Sequence, residues 1–440
     1  MTQSVMSEPV IIVGAGIAGL VCAIELQRAG VPVKVLEQAD DVGGRVRSTM
    51  QDGFVLDHGF QVLFTAYPTL NRYLDASVLA YRPFLPGAMI SRNGRAALVG
   101  DAWRDPSLLL DTLLASVISL GDKMRLLALR QHARGLSLEE CFTGPHAALS
   151  TRTFLQQRGF SEAAISGFFA PFYGGILLDR SLSTSASILL FTFRMLAEGD
   201  TVVPAAGIGA ISAHLAAQLA AGTVHSSRRV ERVLVEGGRA SGVVTSDGAV
   251  HAASHVVLAT EAPATARLVQ SVGLSLALPT ESRGCTTLYY TAARTPIPGR
   301  ALWLNADPDA VVSHAITLTD VAPEYSASGR PLIAATCLGE AAALDDATLD
   351  ARAQSELLRL HGAPAGETQL ERVAIWRVPY AQFAQPPGWW ATRPQAATAV
   401  PGLYLAGEAL HSSSLEGAAR GGVTAAAAVS SSFAASTAAA

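Results

Sequence analysis

The chain has 440 residues, room for two domains with sizeable cores. It is 50% hydrophobic and 15% charged, which excludes widespread disorder, and a net charge of −4 leaves no electrostatic footprint for nucleic acid. The cysteines Cys22, Cys141, Cys285 and Cys337 stand far apart without a CxxC pair, which predicts buried reduced thiols, no disulfide framework and no metal site. Lys34 and Lys123 are the only lysines, so chemistry that needs a lysine amine has two candidates.

The first strand-like run starts at Val10 and leaves no room before it for a charged leader with an apolar core, so a cytoplasmic protein is expected. The most apolar helix-like stretch, Ser107 to Leu120, carries Asp111 and falls short of the roughly 20 residues of a membrane span. It reads as a core helix, with a peripheral contact at a membrane surface as the alternative.

Val10-Ile-Ile-Val13 is a continuous β-branched run, the pattern of a strand buried on both faces of a parallel sheet. Gly14-Ala15-Gly16-Ile17-Ala18-Gly19 follows at once, then a helix pattern over Leu20 to Ala29 that Gly30 stops. Val31 to Glu37 supplies a second strand tipped by an acid, with Gln38 after it. Gly14 permits the tight turn, Gly16 lets backbone N–H groups approach a pyrophosphate, and Gly19 lets helix and strand pack closely. Glu37 is placed to accept hydrogen bonds from ribose hydroxyls and disfavours a 2′-phosphate. This pattern predicts a dinucleotide site and leaves NAD and FAD both open.

Asp41-Val-Gly43-Gly44-Arg45-Val-Arg47 and Asp57-His58-Gly59-Phe60-Gln61 come next. With the glycine fingerprint, these segments resemble the flavin amine oxidase, phytoene desaturase and protoporphyrinogen oxidase superfamily, nearer its desaturase side. The resemblance implies that Gly43, Gly44 and Arg45 lie along the FAD pyrophosphate and the flavin, and that the backbone of Gly59, Phe60 and Gln61 meets the isoalloxazine edge. Near the other end, Gly402-Leu-Tyr-Leu-Ala-Gly407-Glu408 precedes Ser414-Leu415-Glu416-Gly417-Ala418. A helix starting at Leu415 or Glu416 aims free N–H groups at the negative charge of a reduced flavin. In the family, the acid matching Glu408 binds near the ribityl and pyrophosphate. The second motif favours FAD over NAD.

Between these ends, Arg229 to Val235, Gly242 to Thr245 and His255 to Thr260 read as strands, with Asp247-Gly248 as a hairpin turn. The resemblance places Val230 against adenine and Thr260 beside the dinucleotide. It implies an α/β, two-domain FAD-binding Rossmann-type fold (glutathione reductase-like) with an interleaved α+β substrate domain. Residues 1–62, 200–283 and 398–440 would form the cofactor domain, and 63–199 with 284–397 the substrate domain. The aromatic segment Gly167 to Gly175 is read equally as pocket wall or as core, and Pro386 to Trp390 as a loop that packs its tryptophans inward. The Ser/Ala-rich tail from Ser430 is expected to fray.

Many amine oxidases of the superfamily place a lysine near flavin N5, and no lysine follows Lys123 here. No cysteine follows Cys337, so covalent attachment near the last motif is excluded and a non-covalent FAD is expected. The expected activity is hydride transfer from a C–H bond of a small apolar, isoprenoid-like substrate to the flavin. Amine or protoporphyrinogen-type oxidation, a redox-neutral isomerase and a non-catalytic binding relative are the alternatives. His58 and His411 are the histidines inside motifs, both read first as structural, and no catalytic side chain is assigned.

Overall fold

The computed structural model describes residues 8–115, 117–360 and 369–438. The β-branched run at the start forms strand Val10–Val13, buried along its whole length at the centre of a five-stranded parallel sheet. The order across that sheet is Val224–His225, Val33–Leu36, Val10–Val13, Val256–Leu258 and Leu403–Leu405. One sheet thus joins the first strand, the middle of the chain and a strand near its end.

Helix Ile17–Arg28 lies against helix Leu415–Ala438. Their approach depends on missing side chains: a Cβ on Gly422 would stand 2.4 Å from the Ala18 carbonyl oxygen. The C-terminal helix runs on to Ala438, into the tail that composition marks for fraying. His255 explains its start: the imidazole meets the Ser432 hydroxyl at 3.2 Å and stacks on Phe433 at 4.3 Å.

Strands Val230–Glu236, Arg239–Thr245 and Val250–Ala252 form an antiparallel meander, and Gly248 takes φ +81° in the second turn. A larger sheet has the order Glu371–Phe383, Ser282–Thr291, Leu332–Leu338, Val312–Thr317, Leu302–Asn305, Gly87–Arg92 and Arg95–Gly100. Its last two strands come from the first insertion, within 63–199, and they join through the parallel pair Leu304 and Ile90.

Ser107 to Leu120 departs most from expectation. It forms a 3-10 turn at Pro106–Leu108 and a short helix Leu109–Leu114, and that helix buries none of its residues. Leu110 is 65% exposed and Leu114 73%, so the apolar stretch is not a core helix. Trp389 and Trp390 do turn inward, each 8% exposed.

Candidate active site: a cavity closed by both ends of the chain

The local chemistry of the glycines builds the site. Gly14 holds φ +104°, and its missing side chain leaves room for the Ala259 carbonyl, which a Cβ would approach to 2.9 Å. A Cβ on Gly19 would meet the Gly14 carbonyl oxygen at 2.0 Å, so helix and turn pack backbone on backbone. Gly16 differs: nothing stands nearer than 4.0 Å to its absent side chain, and the space in front of it is cavity. Gly43 donates its N–H to the Ala15 carbonyl at 2.8 Å, and Gly44, at φ +58°, faces Gly16 across the opening.

Glu37, 6% exposed, accepts from Ala15 N–H at 2.7 Å through Oε2 and from Ala39 N–H at 2.8 Å through Oε1. The carboxylate expected to serve ribose hydroxyls is therefore also the brace of its own turn. Each oxygen keeps a further lone pair for a ligand.

From the far end, Glu408 reaches this turn. Its Oε1 pairs with Arg45 Nη2 at 2.6 Å and its Oε2 accepts from the Ser413 hydroxyl at 2.8 Å. Arg45 also donates Nη1 to the Ala381 carbonyl at 2.9 Å and sits over the Tyr380 ring, while its own carbonyl accepts from Gln61 Nε2. Arg45 and Glu408 are thus joined to each other, where the resemblance gives each a direct place on the cofactor.

One cavity of about 1430 Å³ connects these groups. Gly14, Gly16, Ile17, Ala18, Glu37, Gln38, Gly43, Gly44 and Arg45 line it, as do Gly59, Phe60, Gln61, Val230, Thr260, Gly407, Glu408, Leu415 and Ala418. Ala15, Gly19, Glu416 and Gly417 do not. Glu416 is 1% exposed and accepts from the backbone N–H groups of Thr69 and Leu70 at 3.0 Å, anchoring the last helix to the turn at Leu70–Arg72. A Cβ on Gly417 would collide with the Ser412 carbonyl oxygen at 1.9 Å, so that glycine serves packing.

Beyond Phe60 the cavity turns apolar. Phe168, Phe172 and Tyr173 of the glycine-punctuated aromatic segment line it, while Phe169 is fully buried, so that segment is both wall and core. The charged groups toward the outer end are spent on partners: Arg104 pairs with Asp200, Arg130 with Asp101 at 3.2 Å, and Lys123 Nζ donates to the carbonyls of Leu113 and Ala115.

The His58 ring lies 3.9 Å from Trp376, tilted by 31°, and burial followed by the Arg47 charge lowers its pKa to about 4. His411 meets the Thr424 hydroxyl; burial and then Arg420 and Arg393 bring its pKa down to about 3. His314, Tyr380 and Thr336 also line the cavity, and no motif reading finds them because each is a single residue in an otherwise ordinary strand.

A glycine-braced dinucleotide turn, a helix N-terminus brought from the other end of the chain and an attached apolar lobe define a flavin-dinucleotide protein of Rossmann-type fold. The chain belongs to the flavin-containing amine oxidoreductase family, whose model matches residues 17–430, and FAD is the cofactor of this class. The glycine cradle fits that cofactor, since added side chains at Gly16 or Gly44 would project into the space it needs.

The chain is 29% identical over 177 residues to protoporphyrinogen oxidase 2, chloroplastic/mitochondrial, of Arabidopsis thaliana, covering 39% of this chain and 33% of that relative. It is 47% identical over 62 residues to hydroxysqualene dehydroxylase of Rhodopseudomonas palustris, covering 14% of this chain and 15% of the relative. The chain thus spans about a third or less of the length of these curated relatives. A solved oxidoreductase from Methanosarcina mazei shares the fold with a TM-score of 0.71 at 19% identity, over 96% of this chain and 100% of that one.

Proposed function

We propose that the chain is an FAD-dependent dehydrogenase that removes hydrogen from a C–H bond of an apolar, isoprenoid-like substrate. The observation that carries this reading is the outer lobe of the cavity: aromatic and aliphatic walls, with each charged group toward its outer end already paired. Bound FAD supplies a hydride acceptor. The chain's own residues then need only hold the cofactor, hold the substrate against it and keep water out. Gly14, Gly16, Ile17, Ala18, Gly43 and Gly44 would bind the pyrophosphate, with Ala15 and Gly19 shaping the turn behind them, Glu37 the ribose, Val230 and Thr260 the adenine side, and Gly59 through Gln61 with Leu415 and Ala418 the flavin. This reading assigns 1–62, 200–283 and 398–440 to the cofactor and 63–199 with 284–397 to the substrate. A relative whose name contains hydroxysqualene supports an isoprenoid. Amine oxidation is the weaker reading, because Lys34 lies at His251, away from the cavity, and the Lys123 amine is committed to two carbonyls.

Access supports the same substrate class. Trp103, Leu109, Leu110, Leu113, Leu114, Leu120 and Met124 are more than half exposed, and five of them also line the cavity. An apolar patch joined to an apolar cavity suits a protein that rests on a lipid surface and draws its substrate from it. Among the described residues, no helix is long and apolar enough to cross a membrane.

The test is anaerobic incubation of the flavin-loaded protein with a library of isoprenoid lipids, followed through the flavin's visible absorption band. Bleaching by a lipid, with a product lighter by one hydrogen pair, is expected. Bleaching by amines alone overturns the proposal, and turnover that needs reduced flavin without a change in product mass would favour an isomerase. Acid precipitation should release the flavin from the protein.

A further inference from the structure

His314 lies on strand Val312–Thr317, is 5% exposed and lines the cavity. Its Nδ1 is buried without a hydrogen-bond partner, while Nε2, on a residue that lines the cavity, meets no hydrogen-bond partner among the described residues. Its placement is built from several elements. Cross-strand pairing sets His314 beside Thr336 and Thr336 beside Thr287, and the two threonine hydroxyls meet at 3.2 Å. Thr287 accepts from the Phe60 backbone N–H, and the Phe60 ring stands 5.4 Å from the imidazole. Gly175 makes room on the other side, since a Cβ there would come within 3.0 Å of Nδ1. The row therefore runs from the segment expected at the flavin edge to a polar group at the wall of the apolar lobe.

Buried polar side chains in folded proteins are nearly always paired, and an imidazole in a cavity wall with one nitrogen closed off and the other without a protein partner calls for a ligand at the second. We propose that His314 is the specificity residue for substrate and that Nε2–H donates a hydrogen bond to a single uncharged oxygen, a hydroxyl or carbonyl, on the isoprenoid-like molecule. This deepens, and rests on, the function proposed above. The tautomer follows from geometry. A closed-off Nδ1 costs less as a bare lone pair than as an unpaired N–H, which leaves the proton on Nε2. Burial and the nearby Arg180 charge bring the histidine pKa down to about 4, so the ring is neutral near pH 7 and does not call for a carboxylate. An ammonium group would meet a donor where it needs an acceptor. A wholly hydrocarbon ligand would leave the imidazole unpaired.

The experiment uses flavin-loaded protein and two probes, geranylgeraniol and its matched deoxy hydrocarbon, titrated by perturbation of the flavin spectrum and by the shift in thermal midpoint. The alcohol is expected to bind more tightly by about 3- to 10-fold, the range of one net hydrogen bond. His314→Leu should abolish that preference while retaining flavin, and His314→Gln should restore part of it. Equal binding of both probes by the unsubstituted protein, or a preference that survives in His314→Leu, overturns the assignment and leaves the apolar-substrate reading standing. If neither probe perturbs the flavin, that reading fails and this assignment with it. Should His314→Leu lose its flavin, the probe comparison on the unsubstituted protein and on His314→Gln still decides.

Discussion

Arg45 and Glu408, 363 positions apart, form a 2.6 Å ion pair inside the cofactor cavity. Each would be a poorly paired charge without the other, and the planar fork of arginine also reaches the Ala381 carbonyl. The pair therefore makes the N-terminal turn and the C-terminal motif one structure.

Glu408→Ala should leave Arg45 with only the Ala381 carbonyl and the Tyr380 ring and weaken FAD binding by about 1–3 kcal/mol, the range of a lost hydrogen bond to a charged group. Flavin retained after gel filtration, against free FAD concentration, measures it. Arg45→Lys should fall between, because a single ammonium on a flexible stem does not reproduce both bonds. Unchanged affinity in Glu408→Ala would show that the pair is dispensable.

Two fingerprint glycines should separate by phenotype. Gly16 has ordinary φ of −74° and no atom within hard contact, so Gly16→Val should fold, with stability changed by about 0.5 kcal/mol, and fail to retain flavin. Gly19→Ala drives a Cβ into the Gly14 carbonyl and should lose about 3 kcal/mol or more, seen as a lower urea midpoint. Equal destabilisation in both would contradict this division.

Asp57 gives a pH prediction. It is 2% exposed, and burial raises its pKa to about 6 from 3.8, against the hydrogen bonds from Ser48, Ile208 and Tyr325. The folded state thus holds the proton more tightly than the unfolded chain. Its stabilisation is present below the unfolded value of 3.8 and is lost as pH rises through about 6. The loss is on the order of 3 kcal/mol. Asp57→Asn should flatten the stability profile between those pH values, and a slope unchanged by the substitution would refute the assignment.

The exposed patch makes a separable prediction. Leu110→Gln with Leu114→Gln should reduce co-sedimentation with phospholipid vesicles by about 10-fold or more, since each leucine that enters an apolar phase contributes about 1.5–3 kcal/mol. Flavin content and thermal midpoint should not move, because both side chains are exposed in the free protein.

The cofactor half of the molecule was legible because its chemistry is local: a turn that must approach phosphate needs glycine at set spacings, and Gly14, Gly16 and Gly19 carry that need in six residues. Side-chain destinations were not legible. Glu416 sits in a cofactor motif yet turns to the backbone of Thr69 and Leu70, a contact fixed by how distant segments fold together. His314 was invisible for a related reason, since a lone histidine in a buried strand acquires meaning only from Thr336, Phe60 and Gly175 around it. The reading of Ser107 to Leu120 as core failed because apolarity and length do not say which neighbours arrive to cover a helix.

The last helix nests by backbone on two partners, Gly421 against the Gly407 turn and Gly422 against Ala18 of the first helix, and this has a consequence for biosynthesis. A ribosome that has delivered the first strand, helix and acid-tipped second strand has not yet delivered Leu403–Leu405, Glu408 or the last helix. Until those later segments follow, the chain carries half a pocket, and cofactor capture waits on residues made long after the fingerprint.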